Sequence, residues 1–288
     1  MSDAPGPIAP SKTTTVAAPA GGLYGEVFLP DETPRGVVVV THGYAEHCGR
    51  YREVAHVIVK AGWAALAYDV RGHGQSPGPR GFIEDFSIYL DDLAAAHAAA
   101  RTLVPASAPT VLLGHSNGSL ITLRALCSDR PPPAVAAIVS SPYLALRLSV
   151  PGYRKLLARL ASRVAPGLAQ PNALRAEDLT QDPQKQAERV ADKLCFSIVT
   201  ARWFTESSSA QEFVARNASR IRVPTTWLVG GADPIADPAA SRRVASRIQD
   251  AQYQELAGLR HEVFNELERG KVFSEITKAL VACGAARA

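Results

Sequence analysis

An α/β fold is predicted: a mostly parallel central sheet flanked by helices, with an inserted helical cap. Three observations predict it. Short apolar runs alternate with helix-spaced segments as far as about Ser140 and again from about Thr225, the rhythm of a parallel sheet covered on both faces. Between them, Tyr143 to Arg222 breaks that rhythm: it holds no convincing strand, several helical segments and Pro151, Pro166, Pro171 and Pro183. Third, Gly114-His115-Ser116-Asn117-Gly118 stands between the apolar run Thr110 to Leu113 and a helical stretch carrying Leu120, Leu123 and Cys127. A Gly-x-Ser-x-Gly between a strand and a helix is a nucleophile elbow. Its glycines leave room where a strained turn crowds strand against helix.

The elements follow in order. Met1 to Gly22 is rich in Ala, Pro, Thr and Ser without a continuous apolar core, and reads as a disordered tail rather than a secretory signal. Leu23 to Leu29 is an edge strand, and Val37-Val38-Val39-Val40 a buried one. A long loop, Gly43 to Tyr51, precedes a helix over Arg52 to Ala61. Trp63 to Tyr68 is a strand, and the glycines and prolines of Asp69 to Pro79 mark an extended loop. A helix over Asp85 to Thr102 leads to the elbow strand, its helix, and a strand over Ala136 to Ser140. After the insertion, Thr225 to Gly230 and Gln252 to Leu256 are strands, and an amphipathic helix with Val263, Phe264 and Leu267 follows His261. The expected organisation is therefore a core of residues 23–142 and 223–288 with a cap of residues 143–222.

A serine hydroxyl needs a base to take its proton. On this fold the acid and the histidine follow the serine in that order. Asp233 lies in the loop after the Thr225 strand, and His261 in the loop after the next. Asp237-Pro238 is the alternative acid, but it reads as a helix N-cap and first helical residue, so Asp233 is preferred. Of the other histidines, His42, His47 and His73 precede the serine, His56 and His97 lie on helical stretches, and the elbow turns His115 away. The candidate triad is Ser116, Asp233 and His261. Charge developing on a carbonyl oxygen needs fixed backbone donors. The N–H of Asn117 and that of Tyr44, in the loop after the Val37 strand, are the candidates.

Composition narrows the class. The formal charge of +4 over 288 residues is too mild to imply nucleic acid, and no basic run is interleaved with aromatics. Cys48, Cys127, Cys195 and Cys283 are widely spaced, which fits free thiols in a reducing, cytoplasmic setting better than disulfides or a zinc site. His261-Glu262 continues as Val263-Phe264-Asn265, so no HExxH motif is present. No stretch approaches the ~20 apolar residues of a transmembrane helix. The cap carries thirteen Lys/Arg against seven Asp/Glu, so the whole basic excess of the chain sits there. Gly152 to Ala165 puts Tyr153, Leu156, Leu157, Leu160 and Val164 on one helical face, with Arg154, Lys155, Arg159 and Arg163 largely off it. Such a helix can lie on an anionic membrane. The preferred reading packs its apolar face over the pocket and leaves its basic face solvated.

At this point the residues resemble a known family. His42-Gly43-Tyr44-Ala45-Glu46-His47 with Arg50-Tyr51, Asp69 to Gly78 as DxRGHGxSxG, the Gly114 to Gly118 elbow, Asp233-Pro234 and His261 are similar to the signatures of monoacylglycerol lipases and related lysophospholipases. These are α/β-hydrolases of the serine aminopeptidase-like group, and Thr200-Ala201-Arg202-Trp203 is similar to a segment that recurs in them. The resemblance, over roughly Leu23 to Leu280, implies an eight-stranded α/β-hydrolase sheet, a helical cap and hydrolysis of a single-chain acyl ester. It implies the same triad and oxyanion donors, no metal or organic cofactor, and loop-bracing positions at His42, Glu46, His47 and Arg71. The family usually has Met after the serine. Asn117 keeps the N–H, but a polar side chain facing the acyl pocket would disfavour a long apolar chain. An amidase or peptidase on the same fold, or a ligand receptor with little turnover, are the alternatives.

Overall fold

The structure is a computed structural model that describes residues 4–285 except Ser149 and Ala173. Its centre is an eight-stranded sheet built from β1 (Lys12–Val16), β2 (Leu23–Phe28), β3 (Val37–Thr41), β4 (Ala64–Tyr68), β5 (Thr110–His115), β6 (Ala136–Ser140), β9 (Thr225–Gly230) and β10 (Ala251–Leu256). The spatial order is β1-β2-β4-β3-β5-β6-β9-β10. Every pairing from β4 to β10 is parallel, and only those of β2 with β1 and β4 are antiparallel. The β3 valines explain why an unbroken apolar run belongs at the centre. Val37 and Val39 enter one core and Val38 and Val40 the other, because successive side chains on a strand point to opposite faces.

Helices cover both faces. α1 (Arg52–Lys60) and α9 (Arg269–Ala285) lie on one side; α2 (Ser87–Arg101) and α3 (Asn117–Leu126) lie on the other, and α8 (Pro238–Ala245) packs beside β9 and β10. Between β6 and β9 come α4 (Gly152–Val164), β7 (Ala169–Pro171), α5 (Ala176–Leu179), α6 (Pro183–Ala191), β8 (Ile198–Thr200) and α7 (Ala201–Asn217). α7 buries Trp203, Ala210 and Val214 in the same core as α3.

Four expectations need correction. The first 22 residues are not all a disordered tail: Lys12–Val16 is a strand, paired antiparallel with β2. Its Thr-Thr-Thr-Val run is β-branched and suits a strand, and Arg71 donates to the carbonyls of Ala20 and Gly21, fixing the turn behind it. The outermost strand is consequently β1, not β2. The stretch from 143 to 222 does contain strands, the short antiparallel pair β7–β8. After His261 the chain makes only a 3-10 turn at Val263–Asn265 before α9 begins at Arg269.

Candidate active site

The elbow forms as its glycines require. Ser116 sits at φ 50°, ψ −113°, a strained conformation for a residue with a side chain. Its N–H donates to Ser140 O at 2.9 Å, and its carbonyl accepts from Tyr143 N–H at 3.1 Å. These bonds hold the strained residue in place. The hydroxyl is thereby presented at the carboxyl end of β5, with the first turn of α3 directly behind it.

His261 reaches Ser116 from the loop after β10. Its Nε2 lies 2.9 Å from Ser116 Oγ, and its Nδ1 lies 2.7 Å from Asp233 Oδ2. With the Nδ1 proton donated to Asp233, the Nε2 lone pair faces the serine hydroxyl. Asp233 is fully buried, and its other oxygen accepts from the N–H groups of Ile235 and Ala236 at 2.8 and 3.0 Å. Arg147 donates to the Asp233 carbonyl at 2.8 Å. Asp237 instead caps α8, accepting from Ala239 and Ala240 N–H, as its Asp-Pro sequence suggests. Burial alone would lower the His261 pKa. The Asp233 carboxylate, with Glu262 and Glu46 beyond it, outweighs burial and raises it above the ordinary 6.5.

The loop after β3 lies against the serine. A Cβ on Gly43 would come within 3.3 Å of Ser116 Cβ, so only glycine lets this backbone approach so closely. The Gly43 N–H is already donated to Glu46 Oε1 at 2.6 Å. Tyr44 supplies the next amide along, and Ala45 takes a positive φ of 62°. The Tyr44 ring packs 3.9 Å from Trp203, and its hydroxyl donates to Ile198 O. Tyr44 therefore joins this loop to the inserted segment.

Three of the remaining histidines, His42, His47 and His115, have structural partners. His42 Nε2 accepts from Val70 N–H at 2.9 Å. His115 lies 3.0 Å from Ser140 Oγ, and burial holds its pKa down to about 4. His47 faces Asp192 at 2.7 Å, Arg71 pairs with Asp92, and Glu46 accepts from Tyr51. Sequence reasoning missed a charge cluster close to Ser116 and His261. Arg50 bridges Glu46 at 3.1 Å and Glu262 at 2.5 Å, and Arg189 of α6 approaches Glu262 at 3.5 Å. Burial would raise the Glu46 pKa, but Arg50 leads the charges that hold it at about 2. Glu262 adjoins His261 in sequence, which was a usable signal. Nothing in the sequence pointed to Arg189.

Ser116 and His261 open into a cavity of about 820 Å³, ample for an extended organic ligand. Tyr143, Leu157, Leu168, Leu174, Leu179, Val199, Trp203 and Ile235 supply apolar wall; Glu46, Arg189 and Glu262 form a charged margin near the histidine. Asn117 does not line it. Its side chain is 1% exposed, and neither carboxamide atom has a hydrogen-bond partner among the described residues. The expectation that it faces the acyl pocket is thus corrected: as the first residue of α3 it turns into the protein.

A buried acid–histidine–serine chain beside a close-approach backbone loop can perform acyl transfer. The model of the family described as serine aminopeptidase, S33, matches residues 32–268. The chain belongs to this family. A monoacylglycerol lipase of Mycolicibacterium smegmatis is 34% identical to it over 89% of this chain and 91% of the relative. Phospholipase YtpA of Bacillus subtilis is 30% identical, over 84% of this chain and 93% of the relative. Among solved structures, the monoacylglycerol lipase of Paleococcus ferrophilus superposes with a TM-score of 0.82 at 30% identity, covering 90% of this chain and 98% of that one. This member of the serine aminopeptidase family is an α/β-hydrolase and an ester-hydrolysing serine hydrolase. Among the described residues, no helix is long and apolar enough to cross a membrane.

Proposed function

We propose that this hydrolase cleaves single-chain acyl esters, of the monoacylglycerol or lysophospholipid type, through an acyl-enzyme on Ser116. The observation that carries the reading is the Asp233–His261–Ser116 hydrogen-bond chain opening into a largely apolar cavity of about 820 Å³. His261 takes the Ser116 proton as Oγ attacks the ester carbonyl, and Asp233 stabilises the imidazolium. The N–H groups of Tyr44 and Asn117 receive the oxyanion. The tetrahedral intermediate collapses as His261 protonates the leaving alcohol. His261 then activates a water, which releases the fatty acid and frees the serine. A p-nitrophenyl ester series from acetate to palmitate tests the substrate class. A medium- or long-chain optimum is expected, together with hydrolysis of monoacylglycerol. A sharp acetate optimum would overturn the lipid reading, and absence of turnover in folded protein would favour the amidase or receptor alternatives.

The second part of the reading concerns α4 and corrects the preferred sequence expectation. Most of the apolar face does not pack over the pocket: Leu157 lines it, but Tyr153, Leu156, Leu160 and Val164 are 57–74% exposed. The helix packs inward through its small residues. Ser162 Oγ lies 2.8 Å from Thr205 Oγ1, and Arg202 of α7 donates to Ser162 Oγ and O at 3.0 and 2.9 Å. Arg154, Leu157, Ala158 and Ala161 line the cavity instead. An exposed apolar face flanked by Lys155, Arg159 and Arg163 suits an anionic lipid surface. The hydrolase docks there through α4, from the cytoplasmic side; its four cysteines are free thiols. Binding to phosphatidylserine vesicles is expected at low salt and should weaken as salt rises. Leu156→Asp with Leu160→Asp should weaken it roughly a hundredfold or more, since each leucine buried in lipid contributes about 1.5–3 kcal/mol. Vesicle binding unchanged by these substitutions, or none at low salt, would remove this role.

A further inference from the structure

Among the described residues, one group of three potential metal ligands mixes imidazole, carboxylate and thiol: His47, Asp192 and Cys195. One ligand atom of each, an imidazole nitrogen, a carboxylate oxygen and the thiol Sγ, lies within 4.8 Å of the other two, and His47 Nε2 is 2.7 Å from Asp192 Oδ2. His47 belongs to the loop that carries Tyr44 and Glu46, whereas Asp192 and Cys195 follow α6 in the inserted segment. We propose that these three side chains form a zinc-binding site that clamps the inserted segment to that loop.

The donor chemistry selects the ion. A thiolate, an imidazole and a carboxylate are the ligand types of Zn²⁺, whereas Mg²⁺ and Ca²⁺ favour oxygen alone. Three protein ligands leave the fourth tetrahedral position to water. The site has a way in: His47 and Asp192 keep 14% and 25% of their side-chain surface exposed. Both line a second cavity of about 490 Å³, separate from the one at Ser116.

Gly49 N–H donates to His47 Nδ1 at 3.2 Å, so Nε2 carries the ring proton and donates it to Asp192 at 2.7 Å. Metal binding at Nε2 shifts that proton to Nδ1 and gives up the long Gly49 bond. The His47–Asp192 pair must also open to about 3.3 Å, the donor separation of a tetrahedral zinc. Cys195 loses its thiol proton to solvent as the metal displaces it. Thiolate and carboxylate then neutralise the dication. Arg189, 3.9 Å from Cys195 Sγ and facing Glu262, meets a neutral site rather than a second cation.

The clamp would act on the loop beside the nucleophile. Phe196 N–H and Arg189 both donate to Ala45 O, so the segment from α6 to Phe196 already touches the residue after Tyr44. The test uses the full chain, stripped with a chelator and titrated with Zn²⁺ by calorimetry, with Co²⁺ as the spectroscopic probe. The expected results are one Zn²⁺ per chain, a cobalt–thiolate charge-transfer band, and no competition from millimolar Mg²⁺. Zn²⁺ should also raise the melting temperature, by an amount that grows with the logarithm of the free metal concentration. Cys195→Ser should abolish the band and weaken Zn²⁺ binding tenfold or more, and Asp192→Asn should weaken it without removing the band. Circular dichroism checks that both variants are folded. Absence of stoichiometric binding overturns the proposal. So does binding that both variants retain at full strength, which would put the ion elsewhere.

Discussion

Ser116→Ala is expected to lower kcat/KM for ester hydrolysis by about 10⁶, and Asp233→Asn by about 10⁴. The two losses differ because the residues act at different points. Without Ser116 Oγ no acyl-enzyme forms, and only binding and the oxyanion donors remain. Asp233→Asn leaves the nucleophile but puts a carboxamide where His261 Nδ1–H now donates at 2.7 Å. The imidazolium loses its counter-charge, and the ring can adopt the tautomer that turns a proton toward Ser116. The pH profile separates this from simple misfolding. His261 must be neutral to act as base, so activity falls as pH drops through its pKa, which lies above 6.5. Asp233 is the first of the groups raising that pKa against burial. In Asp233→Asn the acidic limb should therefore move to lower pH while the plateau falls. Linkage runs the other way for stability. A raised histidine pKa stabilises the fold fully below the unfolded value, and this contribution is lost as pH rises through the folded one. The neutral His261 that the proposed mechanism requires is thus the form that stabilises the fold less. Residual activity above a few per cent in Ser116→Ala would assign the chemistry to another nucleophile.

How far the sequence was legible depends on how local each cause is. The elbow was readable because Gly114 answers a local steric demand, a Cβ there standing 2.6 Å from the backbone of Gly118 and Ser119. Asp233 was separable from Asp237 because Asp-Pro is itself an N-cap signal, and α8 begins at Pro238. The central strands were readable because both faces of β3 are buried, which leaves an unbroken apolar run. β1 was hidden by the Ala/Pro-rich composition around it and by the distance in sequence of Arg71, which holds the turn behind it. The orientation of α4 was not readable either. A helical wheel gives an apolar and a basic face, but here the small face, Ala158, Ala161 and Ser162, is the one that meets the cavity and α7. Which face turns inward was decided by Arg202 and Thr205, some forty residues later. Arg189 reaches Glu262 across a longer gap still, and no spacing rule connects such pairs.

Gly118→Ala should be the most damaging single-methyl change in the core of this hydrolase. A Cβ built on Gly118 would stand 2.0 Å from Thr41 O and 2.6 Å from His42 O and Thr41 C. These are backbone atoms at the end of β3, hydrogen-bonded into the middle of the sheet, so no side chain can swing away to make room. Either α3 lifts off β3 or β3 leaves its register. Overpacking in a core typically costs 1–3 kcal/mol where side chains can yield; with backbone on both sides the expected loss is about 4 kcal/mol or more, read as a lower urea midpoint. Gly152→Ala is the control, since nothing lies within 4 Å of that position, and it should change stability by less than about 0.5 kcal/mol. A Gly118→Ala protein as stable as the wild type would mean that α3 shifts without cost. Activity then discriminates further, because Asn117 lies between Ser116 and Gly118 and any such shift carries its N–H with it. A folded Gly118→Ala variant should therefore lose kcat more than it gains KM, as expected for an oxyanion donor displaced from a position that matters only in the transition state.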